Sequence, residues 1–193
     1  MTGVVILAAG YSYRMGQPKQ LMPCKGVSLL QLAINAAMDS GSRPVLVILG
    51  AHYEAILPTL TDKEITILYN NNWEEGMASS IRQGIQHLQT DSKISKVILM
   101  LCDQPFVDAS ILESLVSTQA KTGKKIVSCF FSNTNGPPVL FDRSFFEELL
   151  LLKGDEGAKK LLINHSSELS TVNFPLGAND IDTINDYNKL VGK

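Results

Sequence analysis

Between Leu7 and Leu21 the chain reads LAAGYSYRMGQPKQL, with two glycines, an arginine and a lysine and no acidic residue. Such a loop offers backbone N–H groups freed by Gly10 and Gly16, the Ser12 hydroxyl, and two cations of different geometry. The Arg14 guanidinium can fork around two phosphate oxygens, whereas Lys19 acts as a movable point charge. The spacing is neither G-x-x-x-x-G-K-[ST] nor G-x-G-x-x-G. On residue types alone the stretch fits a phosphate cradle, and it equally fits a solvated turn. The first acidic residue is Asp39, so Arg14, Lys19 and Lys25 stand unopposed before it.

Three other stretches could carry chemistry. Leu101-Cys-Asp-Gln-Pro105 ends a run of aliphatic residues. A carboxylate there points beyond the end of a buried strand, where Mg²⁺ would take one or two carboxylates plus phosphate oxygens. Asp103 fits that role, or else it caps its own turn. Asn70 to Ser80 combines amides, Trp73, Gly76 and the hydroxyls of Ser79 and Ser80. That set lines a base or a substrate phosphate, or it caps a helix. Asp180-Ile-Asp-Thr183 places two carboxylates on one side of an extended chain. Asp182 or Thr183 could equally cap a helix. Gly154-Asp-Glu-Gly157 reads as a helix start with Asp155 as cap.

The elements that must position these residues alternate. Val4–Ala9 is a continuous apolar strand of the kind buried on both faces of a parallel sheet. Ser28-Leu-Leu-Gln31 has the form of a capping box, opening a helix that runs to Ser40 and stops at Gly41. Strands are expected at Val45–Leu49, Ile65–Tyr69, Val97–Cys102, Ile126–Phe131, Val139–Phe141 and Leu169–Phe174. Helices are expected around His52–Leu60, Met77–Leu88, Asp108–Thr122, Ser144–Leu152 and Gly157–Asn164, with a last one from near Thr183. Asn133-Thr-Asn-Gly136 is a turn signal. The alternation predicts one domain, 1–193, with an α/β fold: a doubly wound, mostly parallel, Rossmann-like central sheet with an antiparallel excursion. In such sheets the ligand sits beyond the carboxyl ends of the strands. The loops after Ala9, Tyr69 and Cys102 should therefore face one crevice.

Composition excludes several classes. The chain has 17 basic and 19 acidic residues, a balance that gives no reason to expect nucleic acid or a membrane surface as partner. No apolar run reaches the roughly 18 residues a membrane span needs, and the N-terminus lacks a basic signal-peptide region. A cytoplasmic location is the expectation. Cys24, Cys102 and Cys129 show no C-x-x-C spacing and read as core thiols. His52, His87 and His165 show no ligand spacing, which argues against zinc.

In order along nearly the whole chain, the stretches from Leu7 to Lys19, Glu75 to Ser80, Asp103 to Pro105, Gly136 to Phe141, Gly154 to Ala158 and Asp180 to Thr183 resemble the molybdenum cofactor nucleotidyltransferases. Within these GT-A-like nucleotidyltransferases, the match is to molybdopterin cytidylyltransferases. The resemblance implies attack by the terminal phosphate of molybdopterin on the α-phosphorus of CTP, with Mg²⁺ as cofactor and pyrophosphate released. It implies that Leu7, Ala8, Ala9, Gly10, Ser12 and Arg14 hold the nucleotide and that Lys19 neutralises charge at the α-phosphate. Asp103 would bind the metal, and Asp182 matches the place of a second metal ligand. Gly76, Ser79, Ser80 and Gly136 belong to segments that look like the walls on the pterin side. Guanylyl-transferring relatives usually carry Leu-Ala-Gly-Gly, so the methyl of Ala9 and Pro18 before Lys19 favour a pyrimidine base. A histidine or glutamine often follows Gly136 in the family, whereas Pro137 stands here. The recipient implied is a molybdenum hydroxylase, and a version serving purine catabolism through a xanthine dehydrogenase would look the same. A carrier that delivers the finished cofactor without catalysis is the alternative, and it would need neither Asp103 nor Asp182.

Overall fold

The apolar run after Met1 forms β1 (Thr2–Ala8), buried on both faces from Val4 onward. A short hairpin, β2 (Pro23–Cys24) and β3 (Val27–Ser28), leads into α1 (Leu29–Asp39). Then come β4 (Val45–Leu49), α2 (Tyr53–Ile56), β5 (Ile65–Tyr69), α3 (Met77–Gln89) and β6 (Lys96–Leu101). The second half adds α4 (Ala109–Thr122), β7 (Ile126–Phe131), β8 (Thr134–Asp142) and α5 (Phe146–Leu150). It closes with α6 (Lys159–Asn164), β9 (Leu169–Asn173) and α7 (Ile184–Val191). The computed structural model describes residues 1–62 and 64–192.

Seven strands make one sheet in the order β5-β4-β1-β6-β8-β7-β9. β1 pairs in parallel with β4 and β6, and β4 in parallel with β5. β8 runs antiparallel to both β6 and β7, and β9 lies parallel to β7. This is the mostly parallel, doubly wound sheet with an antiparallel excursion that the alternation predicts. Side-chain alternation along β1 sends Val4, Ile6 and Ala8 into the layer holding Leu30, Ile34, Leu112 and Leu115 of α1 and α4. Val5 and Leu7 join Ile81, Ile85 and Leu88 of α3 on the other face. From β1 the chain moves out to β4 and β5, then crosses back to β6 on the far side of β1. The crevice therefore opens between the carboxyl ends of β1 and β6.

Two local expectations need correction. The hairpin between β7 and β8 turns at Ser132 and Asn133, with φ of 46° and 58°. Two consecutive left-handed residues match the twist of the flanking strands, so pairing resumes at Thr134. Gly136 thus lies inside a nine-residue strand. A Cβ there would come within 2.7 Å of the Phe131 ring, so its glycine serves close packing rather than the turn. At α1, Ser28 accepts the Gln31 N–H at 3.1 Å, but the Gln31 amide turns away to Asn35 and Asp62. The full capping box is at α7, where Thr183 and Asp186 satisfy each other's backbone N–H groups. Among the described residues no helix is long and apolar enough to cross a membrane.

Candidate active site

Gln20, fully buried, shapes the loop that follows β1. Its amide donates to Ala8 O at 2.9 Å and Gly10 O at 2.8 Å, tying the far end of the loop to its start. The Ser12 hydroxyl accepts the Lys19 N–H at 3.3 Å. It is thereby engaged in holding the loop rather than lining the cleft. With both ends fixed, the Lys19 side chain reaches across to β6, where its ammonium pairs with Asp103 Oδ2. The same nitrogen lies 3.5 Å from Asp182 Oδ1, and Arg14 lies 3.0 Å from Asp182 Oδ2.

Asp182 arrives from the opposite end of the chain. Helix α7 docks Tyr187 and the preceding Ile181 against Met15, Met22, Cys24 and Leu29. The Tyr187 hydroxyl donates to Pro23 O at 2.7 Å, and the Ile181 N–H donates to Asp103 O at 3.0 Å. These contacts bring the two aspartates together around Lys19, from which they lie 84 and 163 positions away along the chain. The Arg14–Asp182 pair is exposed and adds little stability, whereas Lys19 and Asp103 are largely withdrawn from water.

Burial alone would lower the pKa of Lys19, but the charge and hydrogen bond of Asp103 outweigh it and hold the ammonium above its ordinary range. Asp103 Oδ1 is buried without a protein partner. Burial and the neighbouring Asp103 charge push Asp180 up to about 6. Because this carboxyl takes up a proton more readily when folded, its contribution is full below the ordinary carboxyl value. It is lost as pH rises from about 4 through about 6. Asp180→Asn is therefore expected to stabilise the metal-free protein at neutral pH by about 1–3 kcal/mol. Urea unfolding across that pH window, compared with the parent, checks it. The expected result is a flatter stability profile. Burial also pushes the thiols of Cys102 and Cys129 up to about 12, so neither serves as a nucleophile at neutral pH.

A cleft of about 780 Å³ receives these groups. Leu7, Ala8, Ala9 and Gly10 line one wall, with Lys19 and Asp103 beside them. Trp73, Gly76, Met77 and Ser80 line another, together with Asp155. The loops after β1, β5 and β6 thus share one crevice. Ser79 and Ser80 divide. Both accept from the Asn70 amide, at 2.8 and 2.9 Å, but Ser79 donates to Gly76 O at 2.8 Å, which returns its hydroxyl to the helix end, while Ser80 reaches the cleft. Gly136 lines a separate, smaller cavity of about 290 Å³ with Phe131, Pro137, Leu162 and Asp180. Leu7, Met77 and Leu101 form the shared wall between the two spaces.

Sequence reasoning missed several residues. Gln20 reads as one more polar residue of a polar loop, and only its burial shows its role. Replacing it with leucine leaves Ala8 O and Gly10 O without their donor, and a loss of about 1–3 kcal/mol in urea unfolding is expected. Tyr11 and Tyr13 were visible as aromatics with no apolar run around them. Their rings stack at 4.3 Å, with Trp73 6.0 Å and His52 4.8 Å from Tyr11.

A parallel sheet that reverses beside a basic loop, with carboxylates gathered over the same cleft, places the chain among the nucleotidyltransferases. Within that class it belongs to the MobA-like NTP transferase domain family, whose profile matches residues 4–169. Similar curated proteins include purine catabolism protein PucB of Bacillus subtilis (strain 168), 31% identical over 168 residues, covering 82% of this chain and 78% of PucB. Nicotine blue oxidoreductase of Paenarthrobacter nicotinovorans is 31% identical over 141 residues, 72% of this chain and 66% of that protein. Among solved structures, Rv0371c from Mycobacterium tuberculosis H37Rv superposes with a TM-score of 0.85 at 28% identity, covering 100% of this chain and 97% of that one. The same protein's complex with manganese gives a TM-score of 0.81 at 26% identity, covering 100% and 98%.

Proposed function

We propose that the protein is a cytidylyltransferase that moves CMP from CTP to the terminal phosphate of molybdopterin and releases pyrophosphate. The observation that carries this reading is the meeting of Lys19 and Arg14 with Asp103 and Asp182 beside the cleft. The resemblance to PucB supports a role in maturing a molybdenum hydroxylase, with a xanthine-oxidising enzyme of purine breakdown as the recipient to test first.

In this reading the triphosphate lies along the loop from Leu7 to Lys19, with Arg14 on its outer phosphates. Lys19 leaves its two carboxylates for the α-phosphate, where negative charge grows as the new bond forms. An acceptor phosphate oxygen bonds to the α-phosphorus while the bond to the pyrophosphate oxygen breaks, so no protein nucleophile is needed. Helix α3 has Gly76 at its cap and no side chain accepting from its first N–H groups, of which the Ala78 N–H donates to Gly154 O at 3.0 Å. Its N-terminus, with the Ser80 hydroxyl, favours the acceptor phosphate. Gly136 and its neighbours offer the adjoining apolar cavity to the pterin.

The carboxylates of Asp103 and Asp182 are hard donors, and the unpartnered Asp103 Oδ1 is the kind of atom a cation would satisfy. These residues fit Mg²⁺, with phosphate oxygens completing its shell. Bound there, the ion would neutralise charge on the phosphate oxygens. The manganese complex of the mycobacterial relative supports use of a divalent ion.

The test is pyrophosphate release from CTP and GTP, side by side, with molybdopterin and Mg²⁺. Release with CTP is expected. Preference for GTP would overturn the base assignment, and silence with every nucleotide would overturn the reaction. Full support of a hydroxylase by an Asp103→Ala variant would favour the carrier instead.

A further inference from the structure

The rim of the cleft carries more aromatic surface than phosphate chemistry needs. Tyr13 is 77% exposed and Tyr11 44%, yet both line the cleft and their planes differ by only 26°. Trp73 continues the series at an interplanar angle of 20° to Tyr11. These rings are held in place. The His52 Nε2–H donates to Tyr11 O at 2.7 Å, a contact in which the carbonyl can only accept. Gly50 at the end of β4 lets Trp73 approach β1: a Cβ there would meet Trp73 Cβ at 2.6 Å and Ala9 O at 2.7 Å. A side chain at that position would push Trp73 out of the row.

We propose that Tyr11, Tyr13 and Trp73 form a stacking platform for the nucleobase of the incoming triphosphate. This deepens the nucleotidyltransferase reading and rests on it. One short loop carries both tyrosines and both phosphate-facing cations, so a single nucleotide spans them: base on the rings, phosphates toward Lys19. Trp73 and Ala9 both flank Gly50 and both line the cleft, and Ala9 is the residue whose methyl is expected at the base edge. The pterin has its own apolar cavity across the wall formed by Leu7, Met77 and Leu101. Every base presents a π face, so stacking contributes affinity without choosing among bases. Discrimination is then left to the strand end at Ala9.

Trp73 is the chain's sole tryptophan, and its emission reports on the platform directly. The whole protein is titrated with CTP, GTP and inorganic tripolyphosphate, following fluorescence and, in parallel, calorimetric binding. CTP and GTP should both quench Trp73, and tripolyphosphate should bind without quenching. Tyr13→Leu should weaken CTP and GTP by the same factor, about 10-fold, and leave tripolyphosphate affinity unchanged. Tyr13→Phe should restore both nucleotides. Calorimetric CTP binding with neither quenching nor any effect of Tyr13→Leu would overturn the platform while the nucleotidyltransferase reading stands. So would quenching by molybdopterin alone, with Tyr13→Leu weakening the pterin and sparing CTP. If no nucleotide binds the parent protein, platform and reading fall together.

Discussion

Replacing Lys19 with methionine is expected to lower kcat with CTP by about 10²- to 10³-fold, the scale set by removing one preorganised charge from a developing oxyanion. The KM for CTP should change much less. In the free protein the ammonium already has two partners, Asp103 and Asp182. Moving it to a ground-state phosphate exchanges one set of ion pairs for another, so the net gain on binding is small. As the α-phosphorus is attacked, charge grows on its oxygens, and there the exchange becomes favourable. That difference between ground and transition state is what appears in kcat. Methionine keeps most of the aliphatic stem while removing the charge. Steady-state kinetics with CTP check the effect. A raised KM at unchanged kcat would assign Lys19 to binding alone. The variant also removes the Lys19 charge that helps hold the Asp180 carboxyl down, so that carboxyl rises further above its ordinary value and stability relative to the parent should fall as pH increases from acid to neutral.

The architecture was legible because it is written in apolar runs. Val4 to Ala8 and Val97 to Leu101 have no polar interruption, which a strand buried on both faces requires and a surface strand does not. Their carboxyl ends then located the basic loop and Asp103 by the topology of the sheet alone. What residue types and periodicity could not place, and the resemblance alone implied for Asp182, depended on contacts between distant segments. Asp182 stands beside Lys19 because Ile181 and Tyr187 bury against Met15, Met22, Cys24 and Leu29, a packing that no local periodicity reports. Ser79 and Ser80 are adjacent and chemically identical. Their different fates follow from about 100° of helical rotation, which turns one hydroxyl back to Gly76 O and leaves the other at the cleft. Gly136 read as a turn residue because glycine and asparagine turns are common. The two residues ahead of Thr134 had already taken the left-handed conformation, leaving the glycine to the strand.

These placements give the site its economy of charge. Two loop cations face carboxylates from just beyond β6 and from the segment before α7, so Lys19 and Arg14 are both already paired in the free site. A triphosphate brings several negative charges into it and competes directly for Lys19 and Arg14. The carboxylates thereby released are the ones suited to a divalent ion. Nucleotide and cation should consequently enter cooperatively, since each removes a partner that the other would have to displace.

Asp103→Asn tests that coupling, and a loss of turnover of about 10³-fold or more is expected with little loss of fold. Asparagine matches the shape of aspartate, and its amide can occupy the same pocket. Two effects on stability oppose one another. Lys19 loses the partner that kept its ammonium above the ordinary range, so burial then lowers its pKa. Against this, Asp180 loses the like charge that helps raise it to about 6, and its pKa should move back toward the ordinary carboxyl value. Each contribution is on the order of 1–3 kcal/mol, so the balance should stay within about 2 kcal/mol. Activity has no such compensation. The amide oxygen is a weaker donor than a carboxylate, and the negative charge that would attract the cation is gone. Mn²⁺ titration followed by electron paramagnetic resonance, with and without CTP, should show weaker binding in the variant and a smaller gain from the nucleotide. Parent-like Mn²⁺ affinity in an inactive but folded Asp103→Asn protein would remove Asp103 from the metal site and leave it only the role of holding Lys19.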